Sequence, residues 1–171
     1  MPTDRVIEVL ADGRLSFGGQ TYRCALGRGG VAAEKREGDG ATPAGRFPLR
    51  RVLYRADRLP APTTALPVAT ISKTDGWCDD PADPAYNLPV ALPSEAGHER
   101  LWREDGLYDV VVVLGHNDDP PVPGLGSAIF FHVAAPDLVP TEGCVALARP
   151  LLLAVLRGCG PGTEMLIHPP D

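Results

Sequence analysis

The chain has 171 residues, of which 44% are hydrophobic and 22% charged, a composition that suits one folded domain and argues against disorder. Its net charge of −6 argues against a nucleic-acid binder, because such proteins usually present a basic face. No stretch approaches the roughly 18–20 apolar residues that a membrane span requires.

The N-terminal third predicts a small β-meander followed by a glycine-rich loop. Residues 1–10 carry three charged side chains and no apolar stretch, so they do not resemble a signal peptide. Alternating residues separated by glycine turns predict strands at 6–10, 15–17 and 20–26. Residues 27–45 are rich in glycine and charge and predict loops, without the Gly-Lys-Ser/Thr of a phosphate-binding loop.

Residues 42–58 combine a turn motif with a run of arginines. Thr42-Pro43-Ala44-Gly45 predicts a type I turn, and residues 46–54 predict a strand. We interpret the basic cluster as a solvated strand face, with a patch for an anionic substrate as the alternative. Its members are Arg46, Arg50, Arg51, Arg55 and Arg58.

The rest of the chain predicts strands, long loops and short helices. A strand at 68–72 precedes a long irregular loop at 74–93, and loops of that length are commonly functional. Ser94 is a candidate N-cap for a helix at 94–103. The valine-rich segment 107–114 predicts a central strand, and a loop at 115–126 and a strand at 127–134 follow. A helix at 150–157 and a last strand at 163–168 complete a single domain, 1–171, of mainly β fold class.

His132 lies on an almost entirely apolar strand. In residues 127–134 the side chains alternate, so Ile129, Phe131 and Val133 share one face and His132 lies on the other. Partial desolvation there should lower the pKa of the imidazole and favour the neutral form that a base needs.

Cys144 follows twelve residues later, directly after a glycine. Gly143 removes a side chain beside the thiol and permits a tight turn in which the N–H groups of Gly143 and Cys144 form an oxyanion hole. A thiol paired with His132 becomes a thiolate near neutral pH and attacks carbonyl carbon. The competing interpretations are a packed cysteine beside a core histidine, and a metal site formed by Cys144, His132 and His116.

Two motifs resemble the YkuD-type L,D-transpeptidase family. Thr141-Glu142-Gly143-Cys144-Val145 is similar to the Ser/Thr-x-Gly-Cys of that family, with His132 where its histidine lies. Thr42-Pro43-Ala44-Gly45-Arg46-Phe47 is similar to its upstream hairpin. The chain departs from the pattern at Glu142, where the family commonly has histidine, and at Ala146, where it commonly has arginine.

The resemblance implies a β-sandwich or curved sheets with one or two short helices, and catalysis without metal or cofactor. Cys144 would attack a peptidoglycan stem peptide and form a thioester, and an amine of a second stem would resolve it into a crosslink. Carbapenem-type β-lactams would acylate the same thiol. Hydrolysis by water, as in an L,D-carboxypeptidase or endopeptidase, is the alternative, and a non-catalytic wall-binding module is another.

Several other side chains are candidates for substrate contact on the loops and strand ends. They are Trp77, Tyr86, Asn87, His116, Asn117, Thr141, Lys35 and Arg46. The cysteines outside the motif show no C-x-x-C spacing, and Cys24 and Cys159 are expected to be small buried hydrophobes. The substrate would place the protein in the periplasm or cell wall, whereas the N-terminal sequence leaves a cytoplasmic location open.

Overall fold

The computed structural model describes residues 5–171 of the chain. Residues 1–4, which belong to the predicted domain and to the N-terminal segment for which no signal peptide was expected, lie outside the described residues. Most of the ordered elements are strands, and the one α-helix of the described range is α1 (Arg149–Arg157). The mainly β prediction is therefore confirmed.

The strands are short except for one that runs through the centre of the fold. In chain order they are β1 (Val6–Val9), β2 (Arg14–Phe17), β3 (Gln20–Arg23), β4 (Val31–Ala32), β5 (Thr42–Pro43), β6 (Gly45–Tyr54), β7 (Val68–Thr70), β8 (Asp75–Cys78), β9 (Pro89–Ala91), β10 (His98–Arg100), β11 (Val110–Leu114), β12 (Phe130–Val133), β13 (Val145–Leu147) and β14 (Glu164–Ile167).

Nine strands form one long curved sheet in the order β13-β12-β11-β6-β14-β1-β2-β3, with β7 added beside β6. The other two sheets are β10-β8-β9 and the pair β4-β5. Most neighbours are antiparallel, but β12 and β13 run parallel. Strand β6 is long enough to pair with β11 at one end and with β14 at the other, so it joins the two halves of the large sheet.

The large sheet is covered on both faces around β11. Val110 and Val112 point into a core that includes Leu152 and Leu156 of α1, whereas Val111 and Val113 point into a second core. All five residues of β11 are buried, which confirms the predicted central strand. The second core contains Trp77 of β8, so the three-stranded sheet covers the face that carries Cys144.

Three predicted elements differ from the structure because long-range pairing overrides the local pattern. Residues 42–45 are extended, since Thr42–Pro43 pairs with Val31–Ala32 instead of turning. The long loop at 74–93 contains β8 and β9. The predicted helix at 94–103 does not form, because His98–Arg100 is a strand that pairs with β8.

Four of the five arginines in the basic cluster form ion pairs, and the fifth, Arg51, lies 5.9 Å from the centroid of the Trp77 ring. Arg46 pairs with Glu164 and Arg50 with Asp118. Arg55 is only 2% exposed, bonds Asp57 and lies 3.4 Å from the centroid of the Trp102 ring, so it is not on a solvated face. The guanidinium charges of these three arginines are already neutralised by neighbouring carboxylates.

Candidate active site

The parallel register of β12 and β13 brings His132 and Cys144 to one face of the sheet. His132 lies opposite Ala146, and Cys144 comes two residues before Ala146. Because side chains alternate along a strand, Cys144 and Ala146 point to the same side as His132. Residues 133–143 therefore form a return connection that places the thiol beside the strand that carries the imidazole.

The thiol of Cys144 is enclosed by the backbone of the neighbouring strand. Its Sγ donates a hydrogen bond to the Ala128 carbonyl oxygen and accepts one from the Phe130 N–H, both at 3.3 Å. The residue is 8% exposed, and burial, followed by the charge of Glu99, raises the pKa of the thiol to about 12. The prediction of a thiolate near neutral pH is thus wrong for the unliganded protein, because a buried thiolate loses its hydration.

His132 is a neutral imidazole with a fixed orientation. Its Nδ1 lies 2.8 Å from the Val133 carbonyl oxygen, so Nδ1 carries the hydrogen and the lone pair is on Nε2. The Tyr108 ring packs edge-on against it, with 5.1 Å between ring centroids. Burial lowers its pKa to about 4, in the direction that the sequence predicted. No hydrogen bond joins it to Cys144 within residues 5–171.

Gly143 permits the sharp turn before the thiol. Its φ is +143°, and a Cβ at this position would lie 2.8 Å from the Ala41 carbonyl oxygen. The Gly143 N–H donates to Thr141 Oγ1 at 3.1 Å, and that hydroxyl donates to the Cys144 carbonyl oxygen at 2.7 Å. Of the two amides predicted for the oxyanion hole, the one at Gly143 is therefore engaged by Thr141.

His132 and Cys144 line the same cavity of about 460 Å³. Side chains of both charges line it, namely Lys35 and Arg103 together with Glu37, Asp79 and Glu99. Burial is the main cause that raises the pKa of both Asp79 and Glu99. A cavity with both signs of charge suits a ligand that carries carboxylate and ammonium groups together.

Lys35 is the buried cation of the cavity. It is 8% exposed, and its Nζ donates to Asp39 Oδ1 at 2.5 Å. A Cβ on Gly143 would lie 3.4 Å from that Nζ, so the ammonium lies against the turn that carries the thiol. Its charge opposes the effect of burial on the pKa of Cys144.

Among the predicted substrate contacts, Lys35 and Thr141 line the cavity. Arg46 is held by Glu164 at the far end of β6. His116 packs edge-on against Phe47. Neither of these two side chains lines the cavity.

The remaining predicted contacts serve the framework around the cavity. Tyr86 is 2% exposed; its hydroxyl donates to Glu37 Oε1 and accepts from the Gly126 N–H. Asn117 bonds within its own loop, to Val122 and Gly126. Trp77 and Asn87 are buried and bond each other. None of these four lines the 460 Å³ cavity.

The sequence did not identify five side chains that do line the cavity: Glu37, Asp79, Glu99, Arg103 and Tyr108. Tyr108 donates to Glu99 Oε1 at 2.7 Å and packs on both His132 and Phe130. Glu99 lay in the predicted helix, where its distance from Cys144 could not be judged. The sequence feature that could have identified Tyr108 is its position just before the valine-rich strand, which pairs with the strand that carries His132.

The hypothesis of a metal site formed by Cys144, His132 and His116 has no support from a group of ligand side chains in the described residues. Within the described range, no three His, Cys, Asp or Glu side chains are grouped so that they could hold an ion. Cys24 and Cys159 are buried free thiols in the first core, as predicted. None of the helices among residues 5–171 has the length and apolar character of a membrane-crossing segment.

Comparison with known proteins identifies one matching family and several solved structures of low sequence identity. The family described as the YkuD L,D-transpeptidase catalytic domain matches residues 2–167. Bd1075 from Bdellovibrio bacteriovorus is 18% identical, with 96% of this chain and 47% of that chain covered and a TM-score of 0.46. No curated protein matches the chain.

Two further solved structures are similar at the same level. LD transpeptidase LdtMt1 in complex with imipenem is 12% identical, with 95% and 57% of the two chains covered and a TM-score of 0.42. The helical cell shape determining protein Pgp2 from Campylobacter jejuni is 14% identical, with 97% and 48% covered and the same TM-score of 0.42. The chain spans about half the length of these proteins.

Proposed function

Because the chain belongs to the YkuD family of L,D-transpeptidase catalytic domains, we propose that it is a cysteine acyltransferase that crosslinks peptidoglycan stem peptides. Cys144 is the nucleophile and His132 is its base. The observation that carries the proposal is that both side chains line one cavity with charges of both signs. The substrate class places the protein in the periplasm or cell wall.

The first half of the reaction forms a thioester. A stem peptide enters the cavity, and Cys144 Sγ attacks the carbonyl carbon while its proton passes to His132 Nε2. The thiol proton now faces the Ala128 carbonyl, so it must turn away from that oxygen first. The Cys144 N–H stabilises the tetrahedral oxyanion. The C–N bond then breaks, and the imidazolium protonates the departing amine.

The second half transfers the acyl group to an amine. The neutral His132 accepts a proton from the amine of a second stem as that amine attacks the thioester carbon. The C–S bond breaks, Cys144 recovers its proton and a new amide bond remains. The carboxylates of Glu37, Asp79 and Glu99 favour binding of the acceptor as an ammonium, which releases one proton to water before its neutral amine attacks, whereas Lys35 and Arg103 favour the carboxylates of the stem.

The resting pKa values fit a reaction that begins only when substrate is bound. A thiol with a raised pKa and an imidazole with a lowered pKa form a neutral pair rather than an ion pair. Proton transfer then occurs as the sulfur bonds to the carbonyl carbon and the negative charge moves to the carbonyl oxygen. This protects the buried thiol from adventitious alkylation and oxidation.

The intact mass of the protein after incubation with a carbapenem tests the nucleophile. Wild type should gain the mass of one molecule of the carbapenem, and Cys144→Ala should gain none. Cys159→Ala is the matched control, since it removes another buried thiol and should still be acylated. A Cys144→Ala protein that is acylated as fast as wild type would contradict the assignment.

Purified muropeptides separate the possible reactions. New dimers indicate transpeptidation, and shortened monomers alone indicate that water resolves the thioester and that the protein is a hydrolase. Neither product, together with an unmodified Cys144 in the carbapenem experiment, would indicate a non-catalytic wall-binding module.

A further inference from the structure

Three residues without glycine's freedom adopt left-handed backbone conformations at one place in the fold. Asn87 has φ of +59°, Asn117 of +51° and Ala128 of +54°. Alanine is disfavoured there, since its Cβ crowds the backbone. Such residues keep the conformation only where surrounding bonds impose it, and they cluster at functional sites.

The side chain of Asn87 makes all four of its hydrogen bonds. Its Oδ1 accepts from Trp77 Nε1 at 2.9 Å and from the Ala128 N–H at 3.0 Å. Its Nδ2 donates to the carbonyl oxygens of His116 at 3.1 Å and Asn117 at 2.7 Å. The residue is 4% exposed, so these bonds are sheltered from water.

One of these bonds leads directly to the thiol. Asn87 holds the N–H of Ala128, and the carbonyl oxygen of the same Ala128 accepts the Cys144 S–H. Two residues later the Phe130 N–H donates to the same sulfur. The backbone of residues 128–130 therefore makes two hydrogen bonds to Sγ, and Asn87 holds the peptide that makes the first of them.

We propose that Asn87 is a positioning residue that holds the Ala128 peptide in its left-handed conformation and so fixes the Cys144 sulfur in the cavity. The inference rests on the proposed role of Cys144 as the nucleophile. It replaces the predicted substrate contact of Asn87, since a side chain with every donor and acceptor engaged offers nothing to a ligand.

The test compares thiol reactivity with acylation in two variants. Asn87→Ala removes all four side-chain bonds. Asn87→Gly removes the same bonds but tolerates the positive φ, so it remains folded more readily. Thr163→Val is the matched control: Thr163 is 1% exposed and accepts the Gly160 N–H, away from the cavity. Iodoacetamide labelling at one mildly alkaline pH, read by peptide mass, reports each cysteine separately.

The proposal expects opposite changes in the two reactions of Cys144. Without Asn87 the Ala128 carbonyl leaves the sulfur, so iodoacetamide should label Cys144 roughly tenfold faster, whereas carbapenem acylation should become at least roughly tenfold slower. Cys24 and Cys159 lie in the first core, so iodoacetamide labels them faster only if that core opens. Their labelling rates should therefore stay as in wild type. Thr163→Val should leave both rates of Cys144 within roughly twofold of wild type.

Two results would overturn the proposal. One is a folded Asn87→Gly protein whose Cys144 is labelled and acylated at wild-type rates. The other is labelling of Cys24, Cys159 and Cys144 that rises in parallel, which would show that Asn87 only stabilises the fold. If wild type itself is never acylated, the proposed function fails, and the iodoacetamide labelling still tests the positioning.

Discussion

The carbonyl oxygen of Ala41 lies 2.8 Å from the position that a Cβ on Gly143 would occupy. The two sequence motifs therefore lie against each other at this point, because Ala41 precedes the Thr42-Pro43 pair and Gly143 precedes the thiol. The glycine is therefore required by a neighbour that is a hundred residues away in the chain, as well as by its own φ of +143°.

Gly143→Ala should destabilise the protein by about 3 kcal/mol or more, because strain at φ and the clash with Ala41 add. Gly124→Ala is the control: Gly124 has φ of +86° and nothing within 4 Å of the added Cβ, so only the backbone cost of about 1 kcal/mol remains. Denaturant unfolding measures both. Equal losses in the two variants would show that Ala41 does not constrain Gly143.

His132→Asn should lower kcat by roughly 10²–10⁴-fold while the fold is kept. The asparagine amide can replace the Nδ1–H bond to the Val133 carbonyl, but it has no basic nitrogen in place of Nε2. The acid limb of the wild-type kcat/KM against pH profile should have its midpoint near pH 4 rather than 6.5. The reason is that burial lowers the pKa of the His132 imidazole in the enzyme without substrate. A midpoint near 6.5 would show that another group is the base.

Glu99→Gln should make Cys144 react with iodoacetamide about two- to tenfold faster. Burial is the main cause of the raised thiol pKa and the Glu99 charge is the second, so removal of that charge lowers the pKa. The glutamine oxygen can still accept from the Tyr108 hydroxyl. Glu104→Gln, an exposed change beside Arg58, should leave the rate unchanged. A slower reaction in Glu99→Gln would contradict this electrostatic account.

The two buried histidines, His116 and His132, should each contribute a loss of stability as the pH is lowered from 6.5 towards 4. His116 and His132 have their pKa lowered to about 4 in the folded chain, so the unfolded chain binds protons first as the pH falls. Their contribution is complete above 6.5 and is lost as the pH approaches 4. A histidine whose pKa is one pH unit lower in the folded chain than in the unfolded chain contributes about 1.4 kcal/mol.

His116→Leu isolates one of these two contributions. It removes a titrating group whose Nδ1 is buried and finds no hydrogen-bond partner among the described residues. The variant should therefore lose less stability than wild type over the same pH range, as measured by urea unfolding at several pH values. Identical pH slopes in the two proteins would show that His116 does not titrate there.

Local chemistry in the sequence determined the chemical groups of the site. The Thr-x-Gly-Cys motif and the apolar histidine strand predicted Cys144 and His132 as one site, and the valine run predicted the central strand β11. These features depend on residue type and on alternation over a few positions, so they can be recognised without the fold. They also predicted the lowered pKa of His132, since its strand neighbours are apolar.

Only the tertiary structure decided which other residues surround the thiol. Within the predicted helix, His98–Arg100 pairs with β8 instead, which brings Glu99 to the cavity. Asn87 and Tyr86 were expected to contact substrate, but their polar groups are engaged in hydrogen bonds within the protein. The reason is physical: strand pairing and burial depend on partners distant in the chain, and the same burial keeps Cys144 a thiol where sequence alone predicts a thiolate.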